Sequence, residues 1–242
     1  MTDSGPRVLW VTGAGSGMGR ASAVSAAPGR RVVLSGRRLE PLQETAALVR
    51  EAGGEALVVP LDARVHGEIV AAHAAISETW GAVSDVVLSA GRNSPKRTWA
   101  DQSMDEVEAI INTNFTAVVR TVDVVLPGLR AAGGGQVIVV SSYSSWRFTP
   151  YAGVAYSASK SALLALCQTL NAQEAGNGIR ACHLCPGDVD SDFLRLRPVV
   201  PNAEARSVML SPEDVGRAVK FVLDSPSHVR IDELVISPIS QV

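Results

Sequence analysis

Short, continuously apolar segments alternate with longer segments of helical periodicity along almost the whole of this sequence. The apolar segments predict about seven strands, at residues 8–12, 31–35, 56–60, 85–89, 136–141, 179–184 and 233–236. Most of them lack the polar–apolar alternation of a half-exposed strand, so we expect helices to cover both of their faces. Helical spacing predicts the main helices at residues 39–52, 65–80, 104–131, 156–175 and 212–223. This alternation predicts one α/β domain, residues 1–242, built on a doubly wound parallel sheet.

The composition is that of a globular protein. With 46% hydrophobic and 19% charged residues, the sequence excludes a disordered chain and a coiled coil. Its formal net charge of -2 argues against a nucleic-acid partner. No uninterrupted apolar run approaches the ~18 residues of a membrane span, and the first residues lack the hydrophobic segment of a signal peptide. We therefore expect a cytoplasmic protein without a membrane partner.

The three cysteines form no disulfide framework. Cys182 and Cys185 make a C-x-x-C motif, but they lie in or beside a predicted strand, where positions i and i+3 point to opposite faces. A zinc site would also need a second pair of ligands, which we do not find in the sequence. We predict thiols in or near the core, and no metal.

Two long polar segments interrupt the alternation of strands and helices. Residues 91–103 follow the fourth strand, and residues 187–211 follow the sixth. Loops of this length in a compact domain are usually binding loops or lids, and open parallel sheets bind ligands at the carboxyl ends of their strands. We predict that residues 187–211 form a substrate-binding loop or lid.

A glycine-rich segment, TGAGSGMG at residues 12–19, connects the first strand to the first helix. Glycines allow positive φ angles and let the backbone approach a pyrophosphate closely, while the helix N-terminus favours its negative charge. A glycine-rich loop alone can be a simple tight turn. Its position at the start of a strand–helix–strand unit favours a dinucleotide site.

The second candidate site is formed by Tyr156 and Lys160, whose i, i+4 spacing puts both side chains on one helix face. A nearby cation favours the phenolate, so we expect Lys160 to lower the pKa of Tyr156 and to make it a proton donor and acceptor. A surface pair without a chemical role would have the same spacing. Ser142, at the end of the fifth strand, could hydrogen-bond a carbonyl oxygen. Asn114 lies in a predicted helix interior, either as a satisfied core residue or holding a water for proton relay.

Together these motifs resemble the short-chain dehydrogenase/reductase family, in its form with a TGxxxGxG loop and a YxxxK pair. The resemblance runs from Arg7 to about Leu223 and implies a Rossmann-like fold. It implies that the catalytic residues are Asn114, Ser142, Tyr156 and Lys160. The residues expected to bind the cofactor are Gly13, Ser16, Gly17, Met18, Gly19, Arg37, Arg38, Asp62, Ala63, Ser89, Ala90, Gly91, Tyr156, Lys160, Pro186, Gly187, Val189 and Ser191. Among them, the resemblance places Asp62 at the adenine ring and residues 186–191 beside the nicotinamide.

The sequence departs from the family pattern at several places. Residues 88–91 read LSAG where the family has NNAG, whose asparagines mostly stabilise the sheet and its loop. The gap from Ser142 to Tyr156 is one residue longer than in many relatives, which leaves Ser144 as an alternative to Ser142. The family's glycine pair near the C-terminus is missing from residues 236–239. We therefore expect an ordinary adenine end and an individual substrate end.

The resemblance implies an NAD(P)-dependent oxidoreductase that interconverts a secondary alcohol and a ketone in a small molecule. In the reducing direction Tyr156 would donate the proton, Ser142 would hold the carbonyl oxygen and Lys160 would bond the ribose. One alternative is a 3-oxoacyl carrier-protein reductase. Another is a non-catalytic nucleotide-binding sensor or scaffold, because fold does not determine function.

The surroundings of the substrate and the oligomeric state are less constrained. Candidate substrate contacts, each of which could equally be an ordinary loop residue, are Trp146, Phe148, Phe193, Leu194 and the arginines Arg92, Arg195 and Arg197. The helices at 104–131 and 156–175 carry more small and apolar residues than one buried face needs, among them Ala162, Leu163, Ala165, Leu166 and Leu170. This surplus and the family resemblance predict a homo-oligomer, a dimer or a homotetramer.

The residues after the second strand bear on the choice of cofactor. An acidic residue there would bond the ribose 2′-OH of NAD, but this strand is followed by Gly36 and Arg37. A guanidinium makes charge-assisted bonds to a 2′-phosphate and stacks on adenine. Arg37 and Arg38 could also be solvated charges in a turn. We expect NADP(H) to be favoured over NAD(H).

Overall fold

A computed structural model describes residues 5–241 of the protein. Its one sheet has seven parallel strands: β1 (Val8–Thr12), β2 (Arg31–Ser35), β3 (Glu55–Val58), β4 (Asp85–Leu88), β5 (Gly135–Val140), β6 (Ile179–Pro186) and β7 (Glu233–Ile236). The strand order is β3-β2-β1-β4-β5-β6-β7. The predicted Rossmann-like α/β fold is confirmed. Residues 1–4 and 242 of the predicted single domain lie outside the described residues.

Helices cover both faces of the sheet. Along the described chain the α-helices are α1 (Gly17–Ala26), α2 (Leu39–Glu51), α3 (His66–Trp80), α4 (Met104–Ile111), α5 (Ala117–Ala131), α6 (Tyr143–Trp146), α7 (Val154–Glu174), α8 (Ala203–Ser207) and α9 (Pro212–Leu223). Successive residues of a strand point to opposite faces, so each strand contributes to two cores. Trp10 packs in the core that contains residues of α3, α5 and α7, whereas Leu9 packs with residues of α1, α2 and α9. Burial on both faces explains why the strands are continuously apolar.

Local signals determine where several helices begin and end. Helix α1 ends at Ala26, two residues before Pro28, because proline cannot supply the backbone N–H that a continuing helix requires. Helix α9 begins with a capping box, in which Ser211 and Asp214 satisfy each other's backbone N–H groups, and Pro212 occupies the first turn. These ends agree with the sequence, since the residues that determine them are adjacent in the chain.

The predicted helix at residues 104–131 is continuous but not uniform. Helices α4 and α5 are joined by a π-helical segment, Asn112–Thr116, that the sequence pattern does not predict. By length and apolar composition alone, this continuous helix could cross a membrane. Charged residues such as Arg120 and Asp123 interrupt its apolar residues, so the sequence contains no uninterrupted apolar run of that length. In the fold, Val118, Val122, Val125 and Leu129 are buried against the sheet as parts of a core helix.

Two segments are more ordered than the sequence suggests. Residues 187–211, predicted as a loop, contain a 3₁₀ helix at Asp192–Leu196 and helix α8, and an isolated bridge joins Val189 to Leu210. The short helix α6, capped by Ser142, follows β5 where no helix was predicted. Both segments lie beyond the carboxyl ends of strands. The ligand-binding edge of the sheet is therefore covered by structured elements.

Candidate active site

The candidate site is a crevice at the carboxyl ends of β1 and β4, where the strand order reverses and open α/β sheets bind ligands. It comprises two cavities. The glycine-loop cavity, of about 420 Å³, lies between residues 12–19, 35–38 and 61–64. The tyrosine cavity, of about 540 Å³, surrounds Tyr156. The two are contiguous, because both are lined by Met18, Ser89, Gly91, Asn93, Ser191 and Phe193.

The predicted cofactor residues divide between these cavities. Those lining the glycine-loop cavity are Gly13, Ser16, Gly17, Met18, Gly19, Arg37, Arg38, Asp62, Ala63, Ser89, Ala90, Gly91 and Ser191. Those lining the tyrosine cavity include Tyr156, Lys160, Pro186, Gly187 and Val189. Folding therefore collects the whole predicted set, from five strand ends and helix α7, into one continuous crevice.

Two of the glycines are required by close backbone approach. A Cβ atom on Gly19 would lie 2.2 Å from the carbonyl oxygen of Gly13. A Cβ atom on Gly13, whose φ is +70°, would lie 2.7 Å from the backbone nitrogen of Ala90. The loop is thus pressed against the segment after β4 and against the first turn of α1. Backbone N–H groups at that helix N-terminus and the absence of acidic residues in its first turn suit an anionic pyrophosphate.

The far end of the glycine-loop cavity is lined by cations. Arg37 and Arg38 are exposed there, and Arg64 donates two hydrogen bonds of 3.0 Å from its Nε to the Asp62 carboxylate. The hydrogen bonds from Arg64 are the main reason that the pKa of Asp62 is lowered, and the charge of Arg37 adds to them. Because Arg64 already neutralises Asp62, that carboxylate opposes an anionic ligand only weakly.

Tyr156 and Lys160 lie in the first two turns of α7, and both line the tyrosine cavity. The Lys160 Nζ atom lies 5.9 Å from the centre of the Tyr156 ring and donates a 2.8 Å hydrogen bond to the Val140 carbonyl oxygen. This bond ties α7 to the end of β5. Residue spacing predicts the shared helix face, but only the fold supplies the carbonyl group that orients the ammonium.

Ser142 caps α6 and faces the same cavity. Its Oγ accepts hydrogen bonds from the Ser144 backbone nitrogen, at 3.2 Å, and from the Ser144 Oγ, at 3.1 Å. Two incoming donors occupy the oxygen lone pairs, so the hydroxyl hydrogen of Ser142 is left to donate to another acceptor. Ser144, the alternative considered from sequence, is buried and acts here as the donor that orients Ser142.

The pKa of Tyr156 does not follow the expectation from sequence. Burial raises the pKa of Tyr156; the nearby Ser142 hydroxyl and the charges of Arg97 and Arg197 only partly oppose this rise. Burial also lowers the pKa of Lys160, to about 8. The lowering that the sequence predicts is not found, because burial outweighs the groups that favour the phenolate. The raised pKa keeps the Tyr156 phenol protonated at neutral pH.

Asn114 lies in the π-helical segment and is fully buried. Its Oδ1 accepts a 2.8 Å hydrogen bond from the Arg92 backbone nitrogen, and its Nδ2 donates to the Arg92 carbonyl oxygen at 2.9 Å. A further bond of 3.1 Å joins Nδ2 to the Ser159 Oγ on α7. Of the two interpretations from sequence, these contacts favour the satisfied core residue. Asn114 fastens the loop after β4 to the helix that carries Tyr156, and its part in proton relay stays a prediction.

Folding brings residues to the tyrosine cavity that sequence reasoning missed and removes others. Arg97, Thr149, Tyr151 and Gln241 line it, although no local pattern marks them. Of the predicted contacts, Phe193, Leu194 and Arg197 line it, whereas Trp146 and Phe148 are exposed outside both cavities. Arg92 lines the glycine-loop cavity and pairs with Glu106, while Arg195 is exposed and pairs with Asp192. Which loop residues line a cavity depends on the path of the backbone, and that path cannot be predicted from sequence periodicity.

The three cysteines are free and buried, as expected, and Cys182 and Cys185 belong to opposite faces of the sheet. Burial raises the pKa of Cys185 to about 11, which disfavours a reactive thiolate. Folding does bring one set of metal-ligand types together, since ligand atoms of His183, Cys185 and Glu233 lie within 4.8 Å of one another. The 2.9 Å pairing of His183 Nδ1 with Glu233 Oε1 already satisfies two of these groups.

Lys160 provides a test of the energetic cost of this site. The pKa of Lys160 is about 8 in the folded protein instead of its usual 10.5, so the charged ammonium destabilises the folded state by about 3 kcal/mol. Lys160→Met removes that charge and loses one hydrogen bond of about 1 kcal/mol, so we expect the free energy of unfolding to rise by about 2 kcal/mol at neutral pH. Between pH 8 and 10.5, Lys160 is protonated in the unfolded wild type but largely neutral in the folded wild type, so the free energy of unfolding of the wild type rises with pH. The difference in stability between Lys160→Met and the wild type therefore shrinks over this range.

Urea unfolding of the two proteins at neutral pH and near pH 10 measures both effects. The matched control is Lys96→Met, which removes an exposed lysine that lines neither cavity and is expected to change stability little. A Lys160→Met variant that is no more stable than the wild type at neutral pH would show that the buried Lys160 ammonium does not destabilise the fold.

Comparison with known proteins gives a consistent result. Residues 7–198 match the family model described as short chain dehydrogenase. An uncharacterised oxidoreductase of Staphylococcus aureus is 31% identical over 240 residues, covering 99% of this chain and 100% of that protein. An alcohol dehydrogenase from Thermococcus sibiricus, solved with 5-hydroxy-NADP, is 30% identical with a TM-score of 0.87 and 98% of each chain covered. A variant of actinorhodin polyketide ketoreductase, solved with NADPH, is 29% identical with a TM-score of 0.87, covering 96% of this chain and 95% of that one.

Proposed function

Because this chain belongs to the short-chain dehydrogenase family, a family of NAD(P)-dependent oxidoreductases, we propose that it interconverts a secondary alcohol and a ketone. The observation that carries this proposal is the convergence of Tyr156, Lys160 and Ser142 on one cavity that is continuous with the glycine-loop cavity. A non-catalytic nucleotide sensor would need only the glycine-loop cavity. The presence of an acid, a hydrogen-bond donor and an adjoining nucleotide cradle favours an enzyme.

The residues present fit a dinucleotide. The crowding around Gly13 and Gly19 leaves no room for a side chain at either position, and the N-terminus of α1 opens on the same cavity. We propose that this loop holds the pyrophosphate, that Asp62 and Ala63 lie at the adenine, and that residues 186–191 line the nicotinamide end. Lys160 would hold the ribose. When bound, the nicotinamide supplies the hydride.

In the reducing direction, Ser142 donates its hydroxyl hydrogen to the carbonyl oxygen of the substrate. Tyr156 then transfers its phenolic proton to the same oxygen as negative charge develops there. The raised pKa of Tyr156 keeps the proton available at neutral pH. Asn114 holds the loop after β4, whose residues Ser89, Gly91 and Asn93 line both cavities, against α7. In the oxidising direction Tyr156 must first lose its proton, so oxidation is favoured at alkaline pH.

The direct test follows the absorbance of reduced cofactor while the protein is mixed with NADPH and a panel of ketones, diketones and oxo acids. Turnover of any member supports the proposal, and its loss in Tyr156→Phe assigns it to this site. Binding of NADPH without turnover across the panel would instead favour the sensor or scaffold. Including a 3-oxoacyl thioester distinguishes the carrier-protein reductase, which requires that thioester to be the better substrate.

We further propose a homo-oligomer, a dimer or a homotetramer, assembled through α4, α5 and α7. Two of the apolar residues behind this expectation, Leu163 and Leu170, are buried in the chain's own core. Ala162, Ala165 and Leu166 are partly or fully exposed and remain available to a second copy. Light scattering at micromolar concentration tests the proposal, and a monomer would overturn it.

We also propose a cytoplasmic localisation, because three unpaired thiols suit a reducing compartment. Cell fractionation tests this proposal.

A further inference from the structure

The polar surroundings of the tyrosine cavity narrow the chemistry of the substrate. We propose that Arg97 binds a carboxylate of the substrate, so that the enzyme acts on oxo acids and hydroxy acids in preference to neutral ketones and alcohols. This inference rests on the proposed function, because it takes the tyrosine cavity as the substrate site. It assigns a specificity-determining residue in the loop 91–103.

Arg97 is held against the helix that carries Tyr156. A Cβ atom on Gly153, the residue that caps α7, would lie 2.8 Å from the Arg97 Cβ and 3.0 Å from its carbonyl oxygen. Gly153 has a φ of +88°, so a side chain at this position would be both strained and blocked. The Arg97 backbone therefore packs against Gly153, which precedes Tyr156 by three residues on α7. Arg97 and Tyr156 both line the tyrosine cavity.

Two hydrogen bonds orient the guanidinium while leaving donors available. Its Nε donates to the Ser94 carbonyl oxygen at 2.7 Å, and its Nη2 donates to the carbonyl oxygen of Leu196. These bonds fix the plane of the group between the loop 91–103 and the 3₁₀ helix Asp192–Leu196. Within residues 5–241, Nη1 has no hydrogen-bond partner and no carboxylate pairs with Arg97. An oriented guanidinium with donors to spare is suited to a planar carboxylate.

The comparison with a second arginine of the same cavity is informative. Arg197 forms a salt bridge with Asp188, so its charge is already balanced. Arg97 is partly buried without such a partner, and burial together with the charge of Arg197 lowers its pKa. A partly desolvated cation without a counter-ion carries a free-energy cost, which an anionic ligand would offset. We therefore assign the carboxylate to Arg97 rather than to Arg197.

The charged side chains that line the tyrosine cavity are mostly cations. Its charged residues are the cations Arg97, Lys160 and Arg197 and the single carboxylate of Asp188, which leaves two net positive charges. Such a cavity concentrates anions and excludes cations. Phe193, Leu194 and Val199 supply an apolar wall beside these charges. The arrangement fits a substrate with a carboxylate at one end and an apolar portion.

Matched pairs of ketones that differ only in charge test the inference. The probes are acetoacetate with its methyl ester, and 4-oxopentanoate with its methyl ester, which vary the spacing between the carbonyl and the carboxylate. In the wild type we expect kcat/KM to be at least about 10-fold higher for the better acid than for its ester. Arg97→Gln should lower kcat/KM for that acid by about 10- to 100-fold and change the ester by less than about 3-fold. Arg97→Lys should restore part of the loss, because it restores the charge without the bidentate geometry.

The matched control is Arg195→Gln, since Arg195 is exposed, pairs with Asp192 and lies outside the tyrosine cavity. It should leave both members of each pair unchanged. An ester that equals its acid in the wild type, or an Arg97→Gln variant that loses both equally, would overturn the inference.

A binding measurement separates this inference from the proposed function. Acetoacetate, 4-oxopentanoate and their esters are titrated calorimetrically into the full-length protein saturated with NADP⁺. Binding of an acid that is lost in Arg97→Gln supports the inference even if no ketone is turned over, in which case only the proposed function fails. If neither acid binds more tightly than its ester, the inference is wrong whatever the turnover.

Discussion

Replacing Tyr156 with phenylalanine is expected to lower turnover by about 100-fold or more, which is the usual scale of general acid catalysis. The substitution removes only the phenolic oxygen and its proton, while the ring keeps its place beside Phe193, 6.1 Å away between centroids. The cavity shape should therefore persist, and NADPH affinity should be nearly unchanged. Steady-state kinetics with a ketone from the active panel measures the loss, and fluorescence titration measures NADPH binding.

The proposed role of Tyr156 also predicts how the rates of oxidation and reduction depend on pH. Because burial raises the pKa of Tyr156, the phenol predominates at neutral pH, and oxidation of the alcohol in the wild type should speed up as pH rises toward that pKa. Reduction should stay level through the neutral range, since its acid is already protonated. Thermal unfolding of the variant serves as the control for folding. Wild-type turnover in a folded Tyr156→Phe protein would refute the proposed mechanism.

The second large effect is expected at the other end of the crevice. Hydrogen bonds to charged groups contribute about 1.5–3 kcal/mol, so one arginine on a 2′-phosphate should favour NADPH over NADH by about 10- to 150-fold. Arg37 is exposed, so screening by solvent places the preference toward the lower end of that range. Arg37→Ala should remove most of this preference by raising the dissociation constant of NADPH, with little change for NADH. Calorimetric titration with each cofactor measures both constants.

A matched control for this experiment is Arg50→Ala, which removes another exposed arginine at the far end of α2, outside the cavity. The preference for NADPH should survive it. Tighter or equal binding of NADH by the wild type would show that Arg37 is a solvated turn residue and would reverse the proposed cofactor, while the reaction class would stand.

The local features of this protein can be predicted from its sequence. The bounds of β1 and β2 agree with the apolar runs to the residue, and α1 stops before Pro28 as its position requires. The glycine loop and the spacing of Tyr156 and Lys160 are equally local, because helix periodicity alone puts the pair on one face. The family resemblance then relates these fragments to one crevice, which the structure also contains.

Other features depend on contacts between distant parts of the chain, and only the tertiary structure decides them. The π-helical turn at Asn114 coincides with its hydrogen bonds to Arg92 and Ser159, residues remote in sequence. Arg97 reaches the tyrosine cavity because Gly153 allows its backbone to pack on α7.

The pKa of Tyr156 shows the division most clearly. Sequence spacing supplies a neighbouring cation, which argues for a lowered pKa, whereas burial among residues from several elements raises it. The sequence by itself thus determined the sheet, the glycine loop and the tyrosine that we propose as the acid, since these depend on periodicity and on short motifs. Burial, the counter-charges and the loop residues that line the tyrosine cavity were decided by the tertiary structure, because desolvation and long-range packing depend on neighbours that the chain meets only when folded.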